Sequence, residues 1–113
     1  MKVTILYESW HHGNTKKLCD AIAAEYGIKL YNVKEDTPDL SGYDLIGVAS
    51  GIAYSKFYKN INTYVQETFP TNKQVFLLYT CGKMSDFTGH IRELLKNKQC
   101  TVLGAYGCKG YDT

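Results

Sequence analysis

A loop with the composition of a phosphate-binding site lies near the start of the chain. Residues 7–15 read Tyr-Glu-Ser-Trp-His-His-Gly-Asn-Thr and separate an apolar run from an amphipathic stretch. Between a strand and a helix, such a loop presents backbone N–H groups, small hydroxyls and a helix N-terminus to one point, which suits a phosphate. An ordinary helix cap is the alternative interpretation. The residues predicted to line the site are Ser9, Trp10, His11, His12, Gly13, Asn14 and Thr15.

The two adjacent histidines of this loop do not predict a metal site. Neighbouring side chains point in different directions, and the sequence has no further ligand cluster with metal-binding spacing. We therefore expect His11 and His12 to contact a phosphate or solvent. The four cysteines form no C-x-x-C pair, so we expect reduced thiols rather than zinc ligands or disulfides.

The elements that must position this loop alternate between strand and helix. Apolar and β-branched runs predict strands at 2–7, 28–33, 45–49, 75–79 and 101–106. Apolar residues at helical spacing predict helices at 14–26, 57–69 and 86–98, the last capped by Ser85. The alternation indicates an α/β fold with a parallel sheet, in a single domain that covers residues 1–113.

Three predicted loops follow strands, at 8–14, 50–56 and 80–84, and all are rich in Gly, Ser, Thr and aromatic residues. Ligands of open parallel sheets bind beyond the carboxyl ends of the strands, where the strand order reverses. We therefore expect the three loops to share one site. Trp10 and Tyr54 would stack on a flat ligand ring, or else pack on the bases of their own loops.

Composition excludes several functional classes. With 113 residues and a net charge of +2, the chain has no basic stripe of the kind that binds nucleic acid. It has no apolar run long enough to span a bilayer and no signal-peptide pattern. We therefore expect no nucleic-acid or membrane partner, and a cytoplasmic location. The C-x₅-R loop of tyrosine phosphatases and the G-x-S-x-G elbow of hydrolases are absent as well.

Several segments, taken in order, resemble flavodoxins. The phosphate loop of that family, which ends in Gly-Asn-Thr and binds the phosphate of FMN, resembles Ser9, Gly13, Asn14 and Thr15. Further segments look like the third strand with the second flavin loop, the fourth strand with the third flavin loop, and the stretch after the fifth strand. These segments are residues 45–61, 74–82 and 107–113.

The resemblance implies a flavodoxin-like open parallel sheet of five strands in the order 2-1-3-4-5, with helices on both faces and FMN at the switch point between the first and third strands. The first loop would hold the phosphate. The implied function is electron transfer to a redox partner protein, by a carrier rather than by an enzyme with its own substrate. The other two loops would flank the isoalloxazine ring through Ser50, Gly51, Ile52, Ala53, Tyr54, Thr80, Cys81 and Gly82.

Two alternative functions fit the same resemblance. One is a flavodoxin-fold interaction module that holds no flavin. The other is a small FMN-dependent reductase that acts on quinones or similar acceptors. Bound flavin would separate the first alternative from the carrier, and turnover of a nicotinamide donor would separate the second.

The chain departs from the family pattern in three respects. Trp10, His11 and His12 stand where familiar members carry small hydroxyl residues, and the net charge is slightly positive where electron-carrying flavodoxins are strongly acidic. The sequence also stops at Thr113, where the family continues into a last helix. We therefore expect one face of the sheet to be bare unless further polypeptide or a partner chain, as in a dimer, covers it.

Overall fold

The computed structural model describes residues 1–10, 13–83 and 85–109. Its centre is a mainly parallel sheet. The parallel strands lie in the order β2-β1-β3-β5-β6, and β4 pairs with β3 in the antiparallel sense. The predicted α/β fold is confirmed, with one short extra strand that changes the strand count and numbering. The elements are β1 (Val3–Glu8), α1 (Asn14–Tyr26), β2 (Lys29–Asn32), β3 (Leu45–Ala53), β4 (Lys56–Phe57), α2 (Lys59–Glu67), β5 (Gln74–Cys81), α3 (Gly89–Asn97) and β6 (Thr101–Lys109).

The register of the sheet brings the carboxyl ends of its strands to one edge. Glu8 at the end of β1 lies opposite Ser50 of β3, and Gly51 of β3 lies opposite Thr80 of β5. The three segments predicted to share a site therefore start from neighbouring positions on the same edge.

Helices cover both faces of the sheet, as predicted. Successive side chains of a strand point to opposite faces, so β1 sends Leu6 towards α2 and α3, and Ile5 towards α1. In the part of the chain that the structure describes, no helix has the length and apolar character that crossing a membrane requires. The core on the α2–α3 face includes Leu6, Ile46, Val48, Ile61, Val65, Leu77, Ile91 and Leu95. The smaller core under α1 consists of Ile5, Tyr7, Cys19, Ala49 and Leu78.

The segment predicted as a loop at 50–56 is instead a β-hairpin. β3 continues to Ala53, which pairs with Lys56 of β4. The two-residue turn between them consists of Tyr54 (φ 55°) and Ser55 (φ 64°), both in the left-handed region. Hairpin turns of this kind favour Asn-Gly or a similar pair, so the Tyr-Ser pair carries no sequence signal for a turn.

Two helices begin later than the apolar spacing predicts. α2 begins after Phe57, because that residue pairs in β4. α3 begins at Gly89, so the prediction that Ser85 caps a helix from Asp86 is wrong. The Asp86 carboxylate instead accepts hydrogen bonds from the backbone N–H (2.9 Å) and the hydroxyl (2.6 Å) of Thr88. These bonds close a local turn of a kind that competes with helix formation.

The last described strand exposes part of its apolar surface. Leu103 and Tyr106 of β6 are each 57% exposed. A register shift between Val75 and Phe76 interrupts the pairing of β5 with β6 beside them. The sheet is thus partly open at this edge, and coverage by a second copy of the chain stays a prediction.

Candidate functional site

The first turn of α1 is open to an anion. Gly13, at the N-cap position, is in the left-handed conformation (φ 72°, ψ 34°) and has no side chain that could cap the helix, and no acidic residue lies in the first turn. The first amides of a helix lack intrahelical partners and carry partial positive charge. The side-chain nitrogen of Asn14 is buried and has no hydrogen-bond partner within the described residues. Such an unpaired donor at a helix N-terminus fits an anionic ligand.

Other groups of the first loop are bonded within the protein. The hydroxyl of Ser9 accepts a hydrogen bond from the backbone N–H of Lys16 (3.3 Å), and the N–H of Gly13 donates to the carbonyl of Trp10 (3.1 Å). The Ser9 hydroxyl therefore binds the start of α1, in agreement with the alternative interpretation as a cap. The adjacent histidines at positions 11 and 12 lie outside the described residues. Among the residues that are described, no group of three or more His, Cys, Asp or Glu side chains forms a metal-binding cluster.

A buried pair of hydroxyls links the first predicted segment to the third. Thr15 and Thr80 are 1% and 2% exposed, and their Oγ1 atoms lie 2.7 Å apart in a hydrogen bond. β5 continues to Cys81, so the third loop begins later than the predicted residue 80. Both threonines lie inside the protein and hold the two loops at a fixed separation.

The end of β5 leaves open space beside Gly82 but no reactive thiol. A Cβ added at Gly82 would meet no atom within 4 Å. Cys81 is 2% exposed, and burial raises the pKa of its thiol. A reactive cysteine requires a lowered pKa, so Cys81 acts as a small buried residue at the strand end.

The second segment is bound to α2 through Ser50 and Gly51. The Ser50 hydroxyl donates to the carbonyl of Gly51 (2.6 Å) and accepts from the N–H of Tyr58 (2.8 Å). A Cβ on Gly51 would overlap the Tyr58 ring, with Cζ only 2.6 Å away. Glycine is therefore required for the close approach of that ring. Ile52 and Ala53 continue β3 and lead into the hairpin.

Aromatic side chains flank the hairpin and the first loop. Tyr54, predicted to shield a flavin ring, lies at the hairpin tip and is 99% exposed. Trp10 is 45% exposed and packs edge-on against Tyr58, with ring centroids 6.4 Å apart. The ammonium of Lys34 lies 3.8 Å from the centroid of the Trp10 ring. In this arrangement Trp10 contacts the protein, and Tyr54 extends into solvent.

Glu8 is a buried carboxylate that the sequence does not single out. It is 1% exposed and accepts three hydrogen bonds, from Trp10 Nε1 (2.7 Å), Asn60 Nδ2 (3.0 Å) and the N–H of Ile61 (3.2 Å). Burial, and after it the negative charge of Glu8, raise the pKa of Tyr58. Two of the partners lie on α2, 52 and 53 positions along the chain. No local spacing in the sequence can reveal a contact of that range.

Two cavities border these residues. One, of about 650 Å³, lies beside the hairpin and α2, and of the predicted site residues it includes Trp10, Ala53 and Tyr54. Residues 80–82 are not among those that line this cavity. A smaller, polar notch of about 330 Å³ lies on the β2 side of the first loop. The notch is lined by Tyr7, Ser9, Trp10, Gly13, Lys16, Asn32, Lys34 and Glu35.

Comparison with known sequences places the chain among related proteins. The profile of the family described as Flavodoxin domain matches residues 4–108. An uncharacterized protein from Methanocaldococcus jannaschii is 41% identical over 117 residues, which cover 100% of this chain and 78% of that protein.

Solved structures share the fold at low sequence identity. A flavoprotein in complex with FMN from Lactobacillus acidophilus matches with a TM-score of 0.79 at 20% identity, over 94% of this chain and 92% of that chain. A flavodoxin from the domain Archaea matches with a TM-score of 0.75 at 21% identity, over 96% of this chain and 85% of that chain. The rubredoxin:oxygen oxidoreductase of Desulfovibrio gigas matches with a TM-score of 0.80 at 20% identity, over 99% of this chain and 31% of that chain. The sheet, the helix arrangement and the profile match confirm the predicted family: this chain belongs to the flavodoxin family.

Proposed function

We propose that this protein binds FMN at the edge formed by the carboxyl ends of β1, β3 and β5, and that it carries electrons to a redox partner protein. The observation that supports the proposal is the buried side-chain nitrogen of Asn14, which has no hydrogen-bond partner within the described residues and lies next to left-handed Gly13 at the start of α1. A phosphate oxygen would satisfy this donor and the first-turn amides other than those of Lys16 and Lys17, which are bonded within the protein. The similar structure from Lactobacillus acidophilus is a complex with FMN.

The chain's own residues would bind and orient the cofactor. When bound, FMN supplies the redox chemistry, and the protein contributes position and electrostatics. The first turn of α1 holds the phosphate through its amides and through Asn14. Gly51 and Gly82 bring backbone close to the ring edge. The buried hydroxyl of Thr80 and its partner Thr15 fix the loops that carry these groups.

A flavin titration with matched variants tests the proposal. FMN and riboflavin, which lacks the phosphate, are each titrated with protein while the flavin fluorescence is recorded. We expect FMN to bind at least about tenfold more tightly than riboflavin, a difference of about 1.4 kcal/mol. Asn14→Ala is expected to remove most of this preference without lowering the stability of the flavin-free protein, because it deletes a buried donor that has no partner within the described residues.

Two left-handed glycines at opposite ends of α1 provide the backbone control. Gly13 (φ 72°) borders the proposed phosphate site, and Gly27 (φ 65°) follows the last turn of the helix. Alanine at either position costs similar backbone energy, about 1 kcal/mol. Gly13→Ala should weaken FMN binding, and Gly27→Ala should leave it unchanged. A wild-type protein that binds no FMN, or that binds riboflavin equally well, would refute the proposal.

A second candidate function is an FMN-dependent reductase with its own small acceptor. The observation that favours it is the cavity of about 650 Å³ beside the hairpin, which is large enough for a small organic molecule. Oxidation of a nicotinamide donor in the presence of a quinone, measured with the FMN-loaded protein, distinguishes the two candidates. The carrier is expected to show no turnover without a partner protein, and the reductase is expected to turn over by itself.

A further inference from the structure

We propose that Glu8 is a positioning residue for the phosphate loop: its buried carboxylate ties the Trp10 indole to the first turn of α2 and so holds the loop in the conformation that receives a phosphate. The effect on flavin binding rests on the proposed function. The hydrogen bonds that connect Trp10 and α2 through Glu8 do not depend on a ligand, and their effect on Trp10 is measured in the flavin-free protein.

Both carboxylate oxygens of Glu8 accept hydrogen bonds. Oε2 accepts from Trp10 Nε1 at 2.7 Å and from Asn60 Nδ2 at 3.0 Å, and Oε1 accepts from the N–H of Ile61 at 3.2 Å. Hydrogen bonds to an ionised carboxylate are about twice as strong as those between neutral groups. The first turn of a helix also favours a negative charge. Glu8 is therefore held firmly at α2, and Trp10 is bonded to a fixed point.

Lys34 makes a second contact with the indole of Trp10. The Lys34 ammonium lies 3.8 Å from the centroid of the Trp10 ring, a cation–π contact. The same ammonium donates to the carbonyl of Ser9 at 2.8 Å. The Ser9–Trp10 segment is thus linked to α2 through Glu8 and bonded directly to Lys34, which follows β2.

Two backbone hydrogen bonds connect Trp10 to the start of α1. The Trp10 carbonyl accepts the hydrogen bond from the N–H of Gly13 (3.1 Å), which closes the turn that leads into the helix. The Gly13 carbonyl in turn accepts from the N–H of Lys17 (2.9 Å) in the first turn of α1. A loop released at Trp10 would loosen the amides that are proposed to hold the phosphate, whereas the segments proposed to flank the ring would stay in place.

The test uses Trp10, the single tryptophan of the chain, as its reporter. Glu8→Gln keeps the shape of the side chain, removes its charge and places an NH₂ group where one donor now points. Glu25→Gln makes the same chemical change at an exposed position on α1 and is the matched control. Acrylamide quenching of Trp10 emission is measured in the flavin-free proteins, and FMN and riboflavin are titrated separately.

We expect Glu8→Gln to increase the acrylamide quenching constant about twofold, and to weaken FMN binding three- to tenfold while riboflavin binding changes less than twofold. Glu25→Gln should match the wild type in all three measurements. If Glu8→Gln does not fold, Trp10→Phe replaces it in the flavin titrations, since it keeps an aromatic ring near Lys34 and removes the indole N–H that Glu8 binds, together with the five-membered ring that carries it. Trp10→Phe is expected to show the same selective loss of FMN binding.

Unchanged quenching in folded Glu8→Gln would overturn the inference, as would equal weakening of FMN and riboflavin in either variant. Failure of the proposed function gives a different result. If the wild type binds no FMN and Glu8→Gln still loosens Trp10, the carboxylate positions the loop but the loop serves no flavin phosphate. If the wild type binds no FMN and Glu8→Gln also leaves the quenching of Trp10 unchanged, both proposals are refuted.

Discussion

The buried hydroxyl pair between Thr15 and Thr80 is expected to behave as one unit when either side chain is changed to valine. Each hydroxyl is nearly inaccessible, and the two Oγ1 atoms are bonded to each other at 2.7 Å. Removing one hydroxyl leaves the other buried without its partner, at a cost of about 1–3 kcal/mol. Removing both takes away the hydrogen bond and the desolvation penalty together, so the double variant is expected to lose about 1 kcal/mol or less.

Urea unfolding, followed by Trp10 emission and far-ultraviolet circular dichroism, measures the four free energies of this cycle. With a slope of about 2 kcal/mol per M, a single variant that loses about 2 kcal/mol moves the midpoint down by about 1 M. The double variant should lie near the wild type, so two single losses of about 2 kcal/mol each would give a coupling energy of about 3–4 kcal/mol. Thr63→Val, on the exposed side of α2, is the control and should change stability by less than about 0.5 kcal/mol.

Additive losses in the double variant would refute this reasoning, because they would show that the two hydroxyls do not depend on each other. The flavin titration adds a second criterion. Since the pair joins the first loop to the end of β5, the single variants should also weaken FMN binding, and the double variant should recover part of it.

Two further predictions concern the same fold. Gly51→Ala places a Cβ against the Tyr58 ring, and we expect a loss of about 1–3 kcal/mol in urea unfolding; Gly42→Ala, whose Cβ meets nothing within 4 Å, is the control, and equal stability of the two variants would contradict the packing argument. Burial raises the pKa of Cys19 from 9.0 to about 12, so its contribution to stability is complete below pH 9.0 and is lost as the pH rises towards 12. Between pH 8 and pH 10.5 this loss amounts to about 2 kcal/mol, and Cys19→Ala should remove that part of the pH dependence; a Cys19→Ala protein with the wild-type pH profile would show that the thiol plays no such role.

Local patterns were sufficient for the elements whose signals are local. α1 occupies residues Asn14–Tyr26, as predicted, because left-handed glycines stand at both of its ends and its apolar spacing is regular. The apolar runs at 45–49 and 75–79 predict β3 and β5, because strands buried on both faces are continuous apolar runs. The meeting of three loops at one edge followed from this alternation of strands and helices, since parallel strands end on the same side of their sheet.

The predicted helix starts at Phe57 and Ser85 were wrong, because at each position two local sequence signals favoured different structures. Phe57 has the spacing of a helical core residue and is indeed 2% exposed, yet it lies in β4, because a buried apolar side chain fits a strand as well as a helix. Ser85 has the chemistry of a helix cap, but Asp86 makes a local turn with Thr88 that delays the helix. In both places the secondary structure depends on which hydrogen-bonding partner lies nearby in the fold. The order of residues along the chain does not show which partner that is.

The sequence by itself determined the fold class, the family and the loop at which an anionic ligand is expected, because hydrophobic periodicity, helix-ending glycines and a Gly-Asn-Thr loop act over a few residues. Only the tertiary structure decided how the site is held together. The carboxylate of Glu8 reaches α2, and Thr15 reaches Thr80, over 52 and 65 positions of chain. These contacts exist because the folded sheet aligns the ends of β1, β3 and β5, and a buried polar group must find its partner among whatever side chains the fold places beside it.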